Sequence, residues 1–155
     1  MKVMIATDGS DAAVGAARRA TQLLHPDARV ELVTVIDTRH DPEEDAGGFE
    51  GPVMTEEEAD DDWREAKEAG RAAIARTEAV LGGEVDGERV VPTTASVADT
   101  IIRLVNEERP DLLVLGSHQP GWFERLLHGS VEDQLLHKCP CPLLIVSRQA
   151  DGAAE

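Results

Sequence analysis

Aromatic side chains are scarce in this chain, with two Phe, two Trp and no Tyr in 155 residues. Lysine is nearly as scarce: Lys2, Lys67 and Lys138 are the only lysines among 15 basic residues. Long apolar runs are missing too. None approaches the roughly 20 residues that a membrane span needs. The first ten residues, "MKVMIATDGS", carry one lysine and an apolar stretch too short for the core of a signal peptide. A cytoplasmic location is therefore expected.

Cysteine is limited to Cys139 and Cys141, within "HKCPCP". Cysteines this close rarely meet disulfide geometry, and a cytoplasmic thiol stays reduced. With His137 they make a His-x-Cys-x-Cys pattern, but a structural zinc site takes four ligands and no second cluster exists. No metal site is expected, and both thiols read as small fillers at a strand entrance. Two phosphate-binding signatures are also missing: there is no G-x-x-x-x-G-K-[ST] and no G-x-G-x-x-G after the first strand.

Acidic residues, by contrast, are abundant. Asp and Glu total 31 against 15 Lys and Arg, a net charge of −16. Such a surface repels DNA, RNA and anionic lipid, whose binding depends on Lys and Arg. Neither a nucleic acid nor a membrane is expected as a partner. Many carboxylates with few lysines and aromatics suggest adaptation to a high-salt, halophilic cytoplasm, where counterions screen self-repulsion. The plainer reading is an acidic protein and no more.

The length suits one domain, and 41% apolar residues suffice for a core. That domain is expected over 1–148, with an acidic loop at 37–55 inside it and a polar tail at 149–155. Strand-like and helix-like segments alternate along it. "KVMIAT" (2–7) reads as a buried strand ending at the turn "DGS". Ser10 can cap the next helix, which faces inward through Ala13, Ala17, Ala20 and Leu24. "RVELVTVI" (29–36) reads as a second strand. From about Thr55 a helix places Ala59, Trp63, Ala66, Gly70, Ala73, Thr77 and Leu81 on one face, with Trp63 expected as a core anchor. "EVDGERVVPTT" (84–94) reads as an edge strand because of Pro92. Ser96 starts a helix with Ala98, Ile101, Ile102 and Val105 inward, ended by Pro110. "DLLVLG" (111–116), a helix from Ser130 to about His137, and "PLLIVSR" (142–148) complete the pattern. This β-α-β-α-β-α-β-α-β order implies an α/β fold with parallel strands and helices on both faces. Open parallel sheets bind ligands beyond the carboxyl ends of their strands, where the strand order reverses. If the first and fourth strands are neighbours, "TDGS" faces "GSHQPG" and "HGS"; the alternation alone leaves that open.

Gly129–Ser130 is a glycine-bearing turn feeding a helix, a geometry that can hold phosphate. It is also a plain helix start. "SVAD" at 96–99 and "SVED" at 130–133 share Ser followed three residues later by Asp, a capping-box-like pattern that needs no ligand. Asp8 can brace its turn or reach a ribose, an adenine amine or a metal. Among His118, His128 and His137, none has a partner that spacing forces into a triad, so no catalytic residue is assigned.

Taken together, "ATDGS", "TVID" and "DLLVLGSH…LLHGSVED…HKCPCPLLIV" resemble the universal stress protein family, from Lys2 to Arg148. The resemblance implies a five-stranded parallel sheet in the order 3-2-1-4-5, the Rossmann-like arrangement of adenine nucleotide alpha hydrolases. It also implies a stress-response role and a homodimer, which here would pair through the exposed edge strand 142–148. Some members bind ATP through Gly-x2-Gly-x9-Gly-[Ser/Thr]. Carried over by position, Gly116 matches the first glycine, Gly129 the third and Ser130 the hydroxyl residue. Asp8 matches the aspartate after the first strand, and Val35 the residue whose backbone meets adenine. Ala6, Leu115, His118 and Val131 match other lining positions. The implied ligand is ATP or AMP, with magnesium as its companion ion, and any ATP turnover would be slow and incidental.

The chain departs from the pattern twice. Ala95 stands where a glycine often precedes the third helix, and Gln119 replaces the second motif glycine. Gln119 is penalised in a left-handed conformation, Pro120 biases it toward extended backbone, and Pro120 itself offers no N–H. Gly121 could compensate only if the loop shifts. Weak nucleotide binding is the expectation, and the alternative is a dimeric interaction module that binds no nucleotide.

Overall fold

The computed structural model describes residues 1–38, 56–82, 85–116 and 131–147. Five strands alternate with four helices: β1 (Lys2–Ala6), α1 (Asp11–Leu23), β2 (Arg29–Asp37), α2 (Glu56–Glu78), β3 (Gly87–Thr93), α3 (Val97–Glu108), β4 (Leu112–Gly116), α4 (Val131–Lys138) and β5 (Leu143–Val146). The sheet is parallel, in the order β3-β2-β1-β4-β5. β1 and β4 are thus neighbours, with Ala6 opposite Leu115. The question left open by the alternation is answered: the order reverses between these two strands.

That reversal also sorts the helices. A right-handed crossover places its helix according to the direction in which the chain steps across the sheet. α1 and α2 follow the steps from β1 to β3, while α3 and α4 accompany the return through β4 to β5. Successive strand residues point to opposite faces, so β1 supplies both cores. Met4 packs with Val33, Ile101, Leu104, Val105, Leu113, Leu115 and Leu135 on the α3/α4 side. Val3 and Ile5 pack with Ala17, Ala20, Leu32, Ile74 and Val114 on the α1/α2 side.

Local signals set the helix ends. Ser10 accepts the Ala13 N–H at 3.2 Å and starts α1. Ser96 accepts the Asp99 N–H at 3.0 Å and donates its hydroxyl to Asp99 Oδ2 at 2.7 Å, starting α3. α3 ends at Arg109, whose φ of 48° is left-handed, immediately before Pro110. β3 is an edge strand, as Pro92 predicts, because only an edge tolerates a missing N–H cheaply.

Trp63 corrects an expectation. It lies on α2 but is 40% exposed and anchors no core. α2 outruns the sheet. A Cβ on Gly70 would clash with Val90 in the middle of β3 and lie 3.1 Å from Ile36 next to the end of β2, and Trp63 is seven residues earlier, about 10 Å further along the axis. Periodicity identifies the helical face but not where the sheet beneath it stops. Within the described residues no helix is long and apolar enough to cross a membrane.

Candidate functional site

The carboxyl ends of β1 and β4 meet at the strand-order reversal. β1 leads into α1 through Thr7-Asp8-Gly9-Ser10. The Thr7 hydroxyl accepts the Gly9 N–H at 3.1 Å and shares a buried hydrogen bond with the Thr77 hydroxyl at 2.8 Å. Thr77 also contacts Ala73 O at 2.9 Å, so α2 holds the turn. Gly9 has φ +74°, and a Cβ there would lie 2.8 Å from Ala73 Cα. Arg76 donates to Gly9 O at 2.6 Å and pairs with Asp11. Asp8 is exposed, and its Oδ1 accepts the Ser10 N–H at 2.9 Å. It braces its own turn while facing the open end of the sheet.

β3 leads into α3 through a turn of the same design. The Thr93 hydroxyl accepts the Ala95 N–H at 3.1 Å and bonds the Thr100 hydroxyl at 3.0 Å. Ala95 does not have positive φ, and no glycine is needed there.

Four of the apolar residues singled out in the sequence belong to the α3/α4 side of the sheet. Leu115 is buried in that core, and Ala6, Val35 and Val131 pack against it half-buried. They come from β4, β1, β2 and the first residue of α4, and so converge from four elements onto one side of the sheet. Gly116 has a second duty. A Cβ there would sit 2.7 Å from Ala12 O and from Ala13 Cα, so it lets β4 press against the first turn of α1. His118, Gln119, Gly129 and Ser130 lie outside the described residues.

Other candidates separate from this end. His137 is exposed and close to its own helix, with Nδ1 2.8 Å from Asp133 O. Cys139 and Cys141 stand at the entrance to β5, half-buried against the core as expected of fillers. Among the described residues, no three His, Cys, Asp or Glu side chains are grouped to hold a metal. An open groove of about 760 Å³ between α1 and β5, bordered by Arg18, Arg19, Leu144 and Val146, contains none of the predicted site residues.

The opposite end of the sheet was not visible in the sequence. Lys2 Nζ lies 2.7 Å from Glu108 Oε2 and 3.2 Å from Glu31 Oε2. Arg89 Nη2 lies 2.7 Å from Glu108 Oε1 and 3.6 Å from Glu31 Oε1. The hydrogen bonds from Lys2 and then Arg89 hold the Glu108 carboxyl below the usual carboxylate range. The hydrogen bond that each donates to Glu108 raises Lys2 and Arg89 in turn, against the opposing effect of burial. These four residues come from β1, β2, β3 and α3, and no local spacing announces them.

The model of the family described as the universal stress protein family matches residues 1–147. A universal stress protein of Methanocaldococcus jannaschii is 27% identical over 157 residues, covering 95% of this chain and 82% of that one. Among solved structures, a universal stress protein of Archaeoglobus fulgidus in complex with dAMP has a TM-score of 0.58 at 22% identity, covering 94% of this chain and 96% of that one. A universal stress protein family protein of Arabidopsis thaliana with AMP bound has a TM-score of 0.59 at 18% identity, covering 97% and 94%. At these identities the structural likeness is one of fold.

Proposed function

This chain belongs to the universal stress protein family, and on that premise we propose that it binds an adenine nucleotide, ATP or AMP, as a regulatory ligand in a stress response. The observation that carries the reading is the convergence of Ala6, Val35, Leu115 and Val131 at the strand-order reversal, with Asp8 exposed beside them. An adenine ring takes an apolar lining with a few polar groups at its rim, and the half-buried Ala6, Val35 and Val131 with the exposed Asp8 support such an arrangement. The AMP and dAMP held by the Arabidopsis and Archaeoglobus proteins support the same ligand class.

In this reading Ala6, Val35, Leu115 and Val131 receive the base, and Asp8 reaches the ribose or the adenine amine. Gly116, His118, Gly129 and Ser130 complete the phosphate side, where magnesium can accompany ATP. The domain is residues 1–148, and the protein acts in the cytoplasm as a homodimer paired through β5. The binding is weak because Gln119 and Pro120 replace a backbone that phosphate could approach. One or two lost charge-assisted contacts, about 1.5–3 kcal/mol each, weaken affinity by one to a few powers of ten.

Calorimetry with ATP and with AMP tests this on the wild type and on Gln119→Gly/Pro120→Arg. Weak wild-type binding that the double change tightens supports it. No binding by either protein favours the interaction-module reading, and tight wild-type binding unchanged by the substitutions refutes the account of the loop. Native mass spectrometry of the same samples reports the dimer.

The net charge of −16 supports adaptation to high salt. The Debye length grows from about 3 Å at 1 M to about 10 Å at 0.1 M salt, so self-repulsion strengthens on dilution. The attractions of the Lys2–Glu31–Arg89–Glu108 group strengthen too, but they involve four residues against an excess of sixteen charges. A melting temperature that falls between multimolar and 0.1 M KCl is expected. An unchanged one removes the high-salt reading.

A further inference from the structure

Cys139 and Cys141 belong to no part of the nucleotide reading, yet their placement is more specific than filling space. The Cys139 N–H donates to Leu135 O at 2.8 Å and closes α4. Pro142 O accepts the Leu113 N–H at 2.9 Å and joins the β4–β5 ladder. The short turn between them is pinned at both ends, and Pro140 fixes one of its φ angles. The two side chains emerge on the same side, with their sulfurs 3.6 Å apart. That is van der Waals contact. A disulfide needs about 2.05 Å, so closure asks for about 1.6 Å shared between two side chains. Both cysteines are half-buried, packed on the core yet open to a small reagent.

We propose that Cys139 and Cys141 form a fold-positioned dithiol that exchanges with low-molecular-weight disulfides, making the start of β5 a reversible redox modification site. In the first step the Cys139 thiolate attacks one sulfur of the small disulfide. Its S–S bond breaks, one small thiolate leaves, and a mixed disulfide forms on Cys139. The Cys141 thiolate then attacks Cys139 Sγ and expels the second small thiolate. Two protein thiols lose two electrons in all, the small disulfide gains them, and the two protons end on the released thiols.

The order of attack follows from the surroundings. The Cys141 thiol donates to Pro142 O at 3.5 Å, which holds its proton while Cys139 attacks, and burial first, then the adjacent Cys139, push it up to about 11. Proximity compensates for its low thiolate fraction, because the second attack occurs within one turn of chain.

The test uses the full-length reduced protein equilibrated anaerobically with mixtures of oxidised and reduced glutathione, then alkylated and weighed intact. The expected product loses two hydrogens, carries no glutathione and resists alkylation. Cys141→Ser is expected to accumulate a glutathione adduct on Cys139 instead. The wild type denatured in urea is expected to need a mixture about tenfold more oxidising to reach half-conversion, since folding brings the sulfurs together. A wild type that stays reduced, stops at a stable mixed disulfide, links two chains, or closes no more readily folded than unfolded would overturn the proposal.

Discussion

At the amino end of the sheet, Lys2 and Arg89 each touch both Glu31 and Glu108, a closed group of alternating charge. At the carboxyl end the buried fastenings are neutral hydroxyl pairs, Thr7 with Thr77 and Thr93 with Thr100, and the more exposed Arg76 bridges Gly9 O and Asp11 beside the first of them. Both devices tie strands to helices, but they occupy space differently. Four long charged side chains close on one another at the amino end, whereas the buried contacts at the carboxyl end are made by short hydroxyls and Gly9. A fold that places ligands beyond the carboxyl ends of its strands needs those ends held and kept clear. Within that end, the Thr7–Ser10 and Thr93–Ser96 turns differ in one respect. α2 presses on the first, so it needs Gly9, and the second accepts Ala95.

The largest test of that difference is Gly9→Ala. The left-handed φ costs an alanine about 1–2 kcal/mol, and overpacking against Ala73 costs about 1–3 more. Urea unfolding should show about 3 kcal/mol lost, against less than about 1 kcal/mol for Ala95→Gly. Similar losses at the two positions would break the comparison.

Thr7→Val comes next. It keeps the shape but leaves the buried Gly9 N–H without its acceptor, a loss of about 1–3 kcal/mol. Thr93→Val should cost less, because the Ala95 N–H it abandons is only partly buried. A double change of Thr7 and Thr77 that costs no more than Thr7 alone would show that the pair acts as one unit.

The helix caps are smaller contributors. Ser96→Ala should cost about 1 kcal/mol, and Ser10→Ala less, since Ser96 holds Asp99 through two hydrogen bonds and, among the described residues, the Ser10 side chain bonds Ala13 only. Thermal melts of the two variants compare them directly.

The smallest effect belongs to the amino end, where exposed ion pairs are weak. Glu108 has a lowered pKa in the folded protein, because Lys2 and Arg89 favour its charged form. Its contribution is present above the unfolded-state carboxylate pKa of about 4.3 and fades as pH falls through the lower folded value. Glu108→Gln should therefore lower the melting temperature slightly at pH 7, with the gap to wild type closing in acid below about pH 4. A gap that stays constant would mean that the charges contribute nothing there.

How much of this was legible depended on distance along the chain. The apolar runs of β1 and β4, the capping serines at 10 and 96, and Pro110 after α3 each report themselves within a few residues, and each element formed where it was read. The resemblance through "ATDGS" and "HGSVED" pointed to the carboxyl end of the sheet, and Ala6, Val35, Leu115 and Val131 do gather on one side of it. Trp63 was misread because helical periodicity holds equally well past the edge of a sheet.

By itself, then, the sequence determined the alternation of strands and helices, the family and the acidic surface, because composition, periodicity and capping are local or summed properties. That β1 lies beside β4 was left open by periodicity, implied by the family resemblance and shown by the structure; tertiary structure alone decided that Ala73 crowds a side chain at position 9 and that Gly116 must admit α1. It also brought Lys2 to Glu108 and set the two cysteine sulfurs 3.6 Å apart. Most of these contacts join residues from distant parts of the chain, and the cysteine geometry depends on backbone anchors in α4 and β4. Only the closed, packed fold brings such groups within the few ångströms where sterics, hydrogen bonds and charge act.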